Sequence, residues 1–296
     1  MHNIGQPGAD FCAMKSPKDF DSAGLWITLS STHHQGTDTM TDQTAKARRF
    51  KDLHVPGNPL LLFNAWDAGS TKAVEKAGAR AIATGSWSVA AANGYGDGEK
   101  MPLALAMENL ARIVAATDLP VSVDIESGYG DAPEAVGQTV RKAVAAGAIG
   151  CNLEDSYPAD GSLRDAEAQV ARIRAARQAA DGLPFFINAR TDVFFQKPAP
   201  QHDDAMLGEA VRRAGLYASA GADGIFVPGL IDPKLLARLV KAVPLPINIM
   251  ISDTTPSFDV LAGAGAARLS HGPGPYRMAM KAVEDAARAV FAWTPK

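Results

Sequence analysis

Short apolar runs alternate with longer stretches of helical hydrophobic period from Pro59 onward. Runs of this length, bounded by Gly and Pro, are typical of buried strands, and the stretches between them have the length of ordinary helices. The pattern therefore predicts eight strands separated by helices. The predicted strands cover residues 60–65, 81–86, 121–126, 149–154, 185–190, 224–228, 247–252 and 267–270.

Two kinds of short sequence mark where these strands begin. Ala-Gly-Ala precedes the even strands, at 77–79, 146–148, 220–222 and 264–266, whereas a proline opens each odd strand. Gly suits the left-handed end of a helix, and Pro suits the first residue of a strand. A two-fold alternation over eight units is expected of a (β/α)8 TIM-type barrel, in which alternate strands fill alternate interior layers. We therefore predict one barrel domain over residues 41–296.

The two ends of the chain differ from this repeat. Residues 1–40 mix small and polar residues without a sustained period, which predicts a disordered N-terminal extension. Met40 is a candidate for the natural start of the protein. The aliphatic run 276–293 predicts the eighth helix, with one face buried.

Composition narrows the class of partner. The formal net charge is −3, from 29 Lys and Arg against 32 Asp and Glu, which argues against nucleic acid or an anionic membrane surface. No apolar run approaches the roughly 20 residues needed to span a bilayer. The two cysteines, Cys12 and Cys151, do not predict a structural disulfide, and a reducing cytoplasm fits this usage. A soluble cytoplasmic enzyme with a small-molecule substrate is the expectation.

The third predicted strand ends in two carboxylates, Asp124 and Glu126. Period-two alternation would place both on one face, where their burial needs a neutralising cation or proton. A hard cation, Mg²⁺ or Mn²⁺, is one interpretation, and a solvent-facing helix cap is the other. Barrel chemistry is carried at the C-terminal strand ends. Polar residues predicted at the other ends favour the metal interpretation: Thr84, Ser86, Asn152, Glu154, Asn188, Arg190, Asn248, Arg268 and Ser270.

The motifs at these ends resemble the isocitrate lyase/phosphoenolpyruvate mutase superfamily, in its methylisocitrate lyase-like and oxaloacetate decarboxylase-like branch. The resemblance runs from about residue 60 to residue 270 and rests on the order of its motifs. They are Thr84-Gly85-Ser86-Trp87-Ser88, Gly94-Tyr95-Gly96-Asp97-Gly98, Asp124-Ile125-Glu126-Ser127-Gly128-Tyr129-Gly130, Asn152-Leu153-Glu154-Asp155 and Asn188-Ala189-Arg190.

The resemblance implies a role for each matching residue. Asp124 would ligate Mg²⁺ directly, with Asp97, Glu126 and Glu154 holding its waters. Ser86 and the backbone N–H groups of Trp87 and Ser88 would bind the substrate carboxylate, Arg190 would bind and stabilise the developing anion, and Asn248 would line the same pocket. Asp124, Glu154 and Arg190 would be the catalytic residues. The resemblance also implies a homodimer or homotetramer that exchanges the C-terminal helix between subunits.

Two departures limit what is carried over. Glu126 stands where the superfamily motif has Asp, which favours a water-mediated role. The loop 156–163 lacks the catalytic Cys-Gly-His of isocitrate and methylisocitrate lyases, and Cys151 is predicted to be a packed strand residue. We therefore expect a Mg²⁺-dependent C–C lyase or decarboxylase acting on a small 2-oxo or 2-hydroxy polycarboxylic acid. The alternatives are a P–C mutase or hydrolase acting on phosphonopyruvate or carboxyphosphonoenolpyruvate, and a non-catalytic 2-oxo acid-binding barrel.

Overall fold

The structure is a computed structural model that describes the backbone of residues 35–294 and the side chains from residue 41 onward. The predicted N-terminal extension therefore lies outside the described residues, except that residues 35–40 begin the first helix.

Eight strands and ten helices make up the described chain. In chain order they are α1 (Gln35–Asp52), β1 (Leu60–Leu62), α2 (Ala68–Lys76), β2 (Ile82–Ala83), α3 (Ser86–Ala92), α4 (Leu103–Ala115), β3 (Val121–Asp124), α5 (Pro133–Ala145), β4 (Gly150–Glu154), α6 (Ala166–Ala179), β5 (Phe186–Arg190), α7 (Asp204–Ala220), β6 (Gly224–Phe226), α8 (Pro233–Ala242), β7 (Ile247–Met250), α9 (Phe258–Gly263), β8 (Arg268–Ser270) and α10 (Gly274–Phe291). Short 3₁₀ turns at Val193–Phe195 and Ala199–Gln201 lie between β5 and α7.

All the strands are parallel and form one sheet in the order β1-β8-β7-β6-β5-β4-β3-β2. The first and last members of that order are joined by a single parallel bridge between Ala65 and Thr84, where the Ala65 N–H donates to the Ala83 carbonyl at 2.9 Å. The sheet is therefore a barrel closed by one bridge. The predicted (β/α)8 architecture is confirmed.

The Ala-Gly-Ala sequences end helices as predicted. Their four glycines all have left-handed φ angles, from 94° to 104°. At Gly147 the need is also steric, because a Cβ there would lie 2.7 Å from Val114. Each glycine turns the chain from a helix back into the sheet, and the register of the next strand follows from that turn.

Several strands are shorter than predicted at their C-terminal ends. The predicted second strand reached Ser86, but Ser86 begins α3. The predicted third strand reached Glu126, but β3 ends at Asp124 and Glu126 has a φ of 52°. At the barrel rim the chain leaves the hydrogen-bonded sheet to form turns. Side chains alternate between the two faces only while the backbone has the extended conformation of a strand. The prediction that Asp124 and Glu126 share a strand face was therefore wrong.

Helix α1 covers the N-terminal end of the barrel. The ring of Phe50 packs edge-on against that of Phe186 in β5, with 5.4 Å between the ring centres. The ring of His54, just beyond the helix, stacks on the Phe186 ring with 4.2 Å between the ring centres. The Gln43 amide donates to the carbonyls of Val144 and Ala148. This end is therefore plugged, and access to the barrel interior is left to the opposite rim.

Helix α10 leaves much of its apolar surface uncovered in the single chain. Val283, Val290 and Phe291 are 61%, 68% and 85% exposed. The exchange of this helix between subunits, which the superfamily resemblance implies, stays a prediction. No helix within residues 35–294 is both long and apolar enough to cross a membrane.

Candidate active site

A pocket of about 160 Å³ opens at the C-terminal rim of the barrel. Its lining comes from all eight strands or the loops that follow them. The lining residues are Asn64, Gly85, Ser86, Trp87, Asp97, Asp124, Asn152, Arg190, Phe195, Phe226, Met250, Ser270, Gly272 and Pro273. This places Ser86, Trp87, Asp97, Asp124 and Arg190, all predicted site residues, on one wall or another of the same pocket.

Asp124 is the last residue of β3, and its carboxylate meets only neutral donors. The Glu126 N–H donates to Oδ1 at 3.1 Å, while the N–H and hydroxyl of Ser86 lie 3.5 and 3.4 Å from Oδ2. Its own backbone N–H is held by the Thr84 hydroxyl at 2.9 Å. No ion pair to Asp124 forms within the described chain. The carboxylate therefore has room for a cation on its pocket side.

Three further carboxyl groups surround Asp124 and repel its charge. Burial, followed by the charge of Asp124, raises the pKa of Asp97. Burial raises the pKa of Glu126 to about 8, to which Asp124, Asp97 and Glu154 add, against the N–H bond from Glu99. Burial, with Asp192 and Asp124, raises the pKa of Glu154 to about 7 against the effect of Arg190. Such a cluster favours a divalent cation or bound protons.

The donor set fits Mg²⁺ or Mn²⁺ in one particular way. Within residues 41–294, whose side chains are described, no three His, Cys, Asp or Glu side chains are grouped as a ready-made metal site. Mg²⁺ commonly keeps several waters and takes only one or two carboxylates from the protein. One direct ligand at Asp124, with the other carboxylates accepting from bound water, agrees with this geometry.

Arg190 is the only Arg or Lys on the pocket lining, and two carboxylates hold it. Its Nη1 lies 2.6 Å from Glu154 Oε2, and its Nε and Nη2 lie 2.6 and 2.9 Å from the two oxygens of Asp192. Burial lowers the pKa of the guanidinium, but Glu154 and Asp192 more than reverse this, so it stays charged. The Ser156 hydroxyl donates to both carboxylates, at 3.1 and 2.9 Å.

The sequence analysis missed Asp192, although it lies only two residues beyond Arg190. A buried hydrogen-bond network holds Asp192. The Asp192 N–H donates to the Asp155 carboxylate, which also accepts from the Tyr217 hydroxyl at 2.7 Å and from Arg213 at 3.0 Å. The Arg-Thr-Asp sequence at a strand end was the available signal. An acid two residues from a rim arginine is well placed to hold its planar fork.

Hydrogen bonds also join the loops beside the candidate metal-binding residues. Glu99, at a φ of 60°, donates its N–H to Glu126 Oε2 at 2.6 Å, and its own carboxylate accepts from Ser127 and Tyr129 at 2.7 Å. Arg172 donates to the carbonyls of Ser127, Gly130 and Asp131 from below. Glu126 is therefore held in place although it has left the strand.

Four predicted site residues lie off the pocket lining. Glu126 lines a narrow neighbouring cavity beside Asp124, and Glu154 lies behind Arg190. Ser88 is buried in α3, with no partner for its hydroxyl among the described residues. Asn248 lies beneath Ser270, whose hydroxyl donates to Asn248 Oδ1 at 3.2 Å. The substrate-binding roles of Ser88 and Asn248 stay predictions.

The turn after β8 and Cys151 have structural roles. The N–H groups of His271 and Gly272 both donate to Asn64 Oδ1 at 2.9 Å, so the turn after β8 is an ordinary turn without free anion donors. Cys151 is completely buried in β4, and burial raises the pKa of its thiol. The prediction that it is a packed residue is confirmed.

The fold and the site together define a (β/α)8 barrel enzyme with a carboxylate cluster and one arginine at its C-terminal rim. The chain belongs to the phosphoenolpyruvate phosphomutase family, whose family model matches residues 50–291.

Its relatives include enzymes with different reactions. It is 30% identical to 2-methylisocitrate lyase of Escherichia coli over 78% of this chain and 83% of that one. It is 37% identical to the uncharacterised Rv1998c of Mycobacterium tuberculosis, over 81% of this chain and 88% of that one. A crystal structure from Burkholderia cenocepacia J2315, provisionally assigned as a phosphonomutase, is 56% identical with a TM-score of 0.82. It covers 83% of this chain and 99% of that one.

Proposed function

We propose that this protein is a Mg²⁺-dependent lyase that breaks a C–C bond, or removes CO₂, in a small 2-oxo or 2-hydroxy acid. The observation that carries the proposal is the presence in one pocket of Asp124, which forms no ion pair with any Arg or Lys of the described residues, and of Arg190. A 2-oxo acid carries a carboxylate and a keto oxygen on adjacent carbons, which suits a cation and a guanidinium at the ends of the two strands that flank β4.

Asp124 would hold the metal directly, with Asp97, Glu126 and Glu154 accepting from its waters. When bound, Mg²⁺ or Mn²⁺ would neutralise this cluster and act as a Lewis acid toward the substrate. Burial, with the repulsion of neighbouring carboxylates, raises the pKa values of Glu126 and Glu154. A bound cation would favour their ionised forms, so metal binding should release protons near neutral pH.

The protein's own residues would bind the substrate and its anion. Ser86, with the N–H groups of Trp87 and Ser88, would hold the carboxylate. In a 2-oxo acid, when the bond beyond Cα breaks, its electron pair forms an enolate of pyruvate type, with the charge on the former keto oxygen. Arg190, kept charged and oriented by Glu154 and Asp192, would stabilise that charge.

Decarboxylation suits the absence of a thiol acid. The loop 156–163 is a compact turn held by a bridge between Ser156 and Leu163 and by the Gln196 amide, which donates to Gly161 O at 3.0 Å. Cys151, the nearest thiol along the chain, is buried in the strand. Loss of CO₂ from an oxaloacetate-like acid starts without proton transfer to the leaving group, so this site needs no such acid to begin.

P–C bond chemistry on a phosphonopyruvate-like acid is the second candidate, favoured by the provisional assignment of the Burkholderia relative. The apolar part of the pocket lining argues against it. It consists of Phe195 and Phe226, whose rings lie beside the Arg190 guanidinium, and of Met250, and it offers no second cation to a phosphonate dianion. The third candidate, a binding barrel without catalysis, would retain the same contacts.

A substrate panel tests the proposal. Purified protein with Mg²⁺ or Mn²⁺ is assayed for pyruvate release from oxaloacetate, 2-methylisocitrate and phosphonopyruvate, and for conversion of phosphonopyruvate to phosphoenolpyruvate, with EDTA as the metal-free control. We expect turnover of a carbon acid, its loss with EDTA, and its loss in Asp124→Ala. Asp52→Ala, at an exposed acid near the opposite end of the barrel, should keep full activity.

The other outcomes are equally informative. Turnover of phosphonopyruvate alone would favour the second candidate. Tight binding of oxalate, a mimic of the enolate, without turnover of any acid would favour the third. Activity unaffected by EDTA and by Asp124→Ala would refute the role of the metal site.

A further inference from the structure

Arg268 crosses the interior of the barrel. It lies on β8, is 1% exposed, and donates from Nη2 to Asn152 Oδ1 on β4 at 3.2 Å. In the strand order, three strands separate β8 from β4, so this contact spans the barrel beneath the pocket. Within residues 35–294, Arg268 forms no ion pair, and its Nε and Nη1 have no hydrogen-bond partner.

This contact fixes which way the Asn152 amide points. A guanidinium can only donate, so the Asn152 atom that faces it must be the oxygen. The Asn188 amide donates to the same oxygen at 2.9 Å, which occupies both of its lone pairs. Both side-chain hydrogen bonds that Asn152 makes to the described residues end on its oxygen, and Asn152 lines the pocket. The NH₂ group is therefore the polar atom left to face the pocket.

The strand register places this donor where a ligand would lie. Asn152 pairs with Asp124 on one neighbouring strand and with Asn188 on the other. The Glu154–Arg190 pair lies two residues farther along the same strands, nearer the rim. A ligand held between Asp124 and Arg190 therefore lies above Asn152.

We propose that Asn152 donates a hydrogen bond to a substrate oxygen from the pocket floor, and that Arg268 is the positioning residue that orients this amide. The inference rests on the proposed function, because it takes the ligand to be an oxo acid. A neutral donor at this depth adds an interaction with the anion without adding another ion pair. Arg268 orients the Asn152 amide because a guanidinium can only donate, so it must face the amide oxygen and turns the NH₂ group toward the pocket.

A separate expectation concerns stability. A buried charge without an ion pair is unfavourable, and its replacement by an apolar residue of similar size is often neutral or stabilising. Arg268→Met should therefore leave the thermal midpoint unchanged or raised while it weakens ligand binding. A residue with only a structural role would show the opposite combination.

Calorimetric titration with oxalate at saturating Mg²⁺ tests the proposal without relying on turnover. We expect Asn152→Ala and Arg268→Met each to weaken oxalate binding by about tenfold or more, since a hydrogen bond to an anion is lost or misdirected. In the Asn152→Ala background, Arg268→Met should have no further effect. Asn152→Asp, which keeps the oxygen and removes the NH₂, should also weaken binding.

Two further variants separate structure from positioning. Arg177→Met removes an arginine that donates to Gly221 and Phe185 carbonyls at the other end of the barrel, so it should lower the thermal midpoint and leave oxalate affinity unchanged. If Arg268→Met folds poorly, Arg268→Lys keeps the charge without the fork and should still weaken oxalate binding.

Each other result has a definite consequence. Equal effects of Arg268→Met with and without Asn152 would overturn the positioning role, because the two residues would act independently. Normal oxalate binding by Asn152→Ala, with the wild type also binding, would overturn this inference alone. A wild type that does not bind oxalate with Mg²⁺ would overturn the proposed function and this inference with it.

Discussion

The substitution Asp192→Asn examines how Arg190 is held. It keeps the shape of the side chain and removes one charge from a buried pair in which Asp192 accepts from Nε at 2.6 Å and from Nη2 at 2.9 Å. The asparagine can accept from one of these nitrogens only, so one charge-assisted hydrogen bond is lost. Such bonds contribute about 1.5–3 kcal/mol, and Glu154 still pairs with the guanidinium, so we expect a loss near the lower end, about 2 kcal/mol.

This loss should be visible in stability and in binding. For a chain of 296 residues, 2 kcal/mol corresponds to a fall of about 3 °C in the thermal midpoint. With Arg190 less well oriented, kcat/KM and oxalate affinity should fall by about tenfold or more, since 1.4 kcal/mol is tenfold.

The assays are differential scanning calorimetry, oxalate titration and steady-state kinetics on the wild type and two variants. Asp165→Asn is the matched control, because Asp165 caps α6 through Oδ1 and asparagine caps a helix equally well. It should leave all three readouts unchanged. If Asp192→Asn has the wild-type midpoint and oxalate affinity, Asp192 does not hold Arg190 in solution.

Three other substitutions probe the surrounding structure. Burial, with Arg268 adding to it, lowers the pKa of His54 from 6.5 to about 3, so the unfolded chain takes up a proton below pH 6.5 while the folded chain does not. The free energy of unfolding is therefore unaffected by His54 above pH 6.5. It falls as the pH is lowered below 6.5, by about 2 kcal/mol at pH 5. Urea unfolding should show this loss in the wild type and not in His54→Gln, and equal pH slopes would refute it. Cys151→Ala should keep full turnover, and an inactive but folded variant would show that the thiol takes part. Tyr217→Phe removes the donor to buried Asp155 and should lower the unfolding free energy by about 1–3 kcal/mol, measured with urea, whereas no change would mean the bond contributes little.

Much of the barrel is already determined by the sequence. The four Ala-Gly-Ala sequences require a left-handed turn that only glycine adopts readily, and each lies before an even strand as predicted. The motif residues Ser86, Asp97, Asp124 and Arg190 could be placed on one rim because parallel strands of a barrel end on the same side. Local backbone chemistry and strand direction are properties of the sequence, so these predictions did not need coordinates.

The strand ends and the polar contacts below them depend on tertiary structure. Glu126 left the strand because its carboxylate is held by the Glu99 N–H from another loop, a partner 27 residues away. The Arg268–Asn152 contact joins residues 116 positions apart on strands that are not neighbours. Sequence periodicity describes which face a residue occupies, but it carries no information on which distant side chain that face meets. The rim and the type of its polar residues were therefore readable in the sequence, whereas the orientation of Arg190 and Asn152 was decided only when the barrel closed.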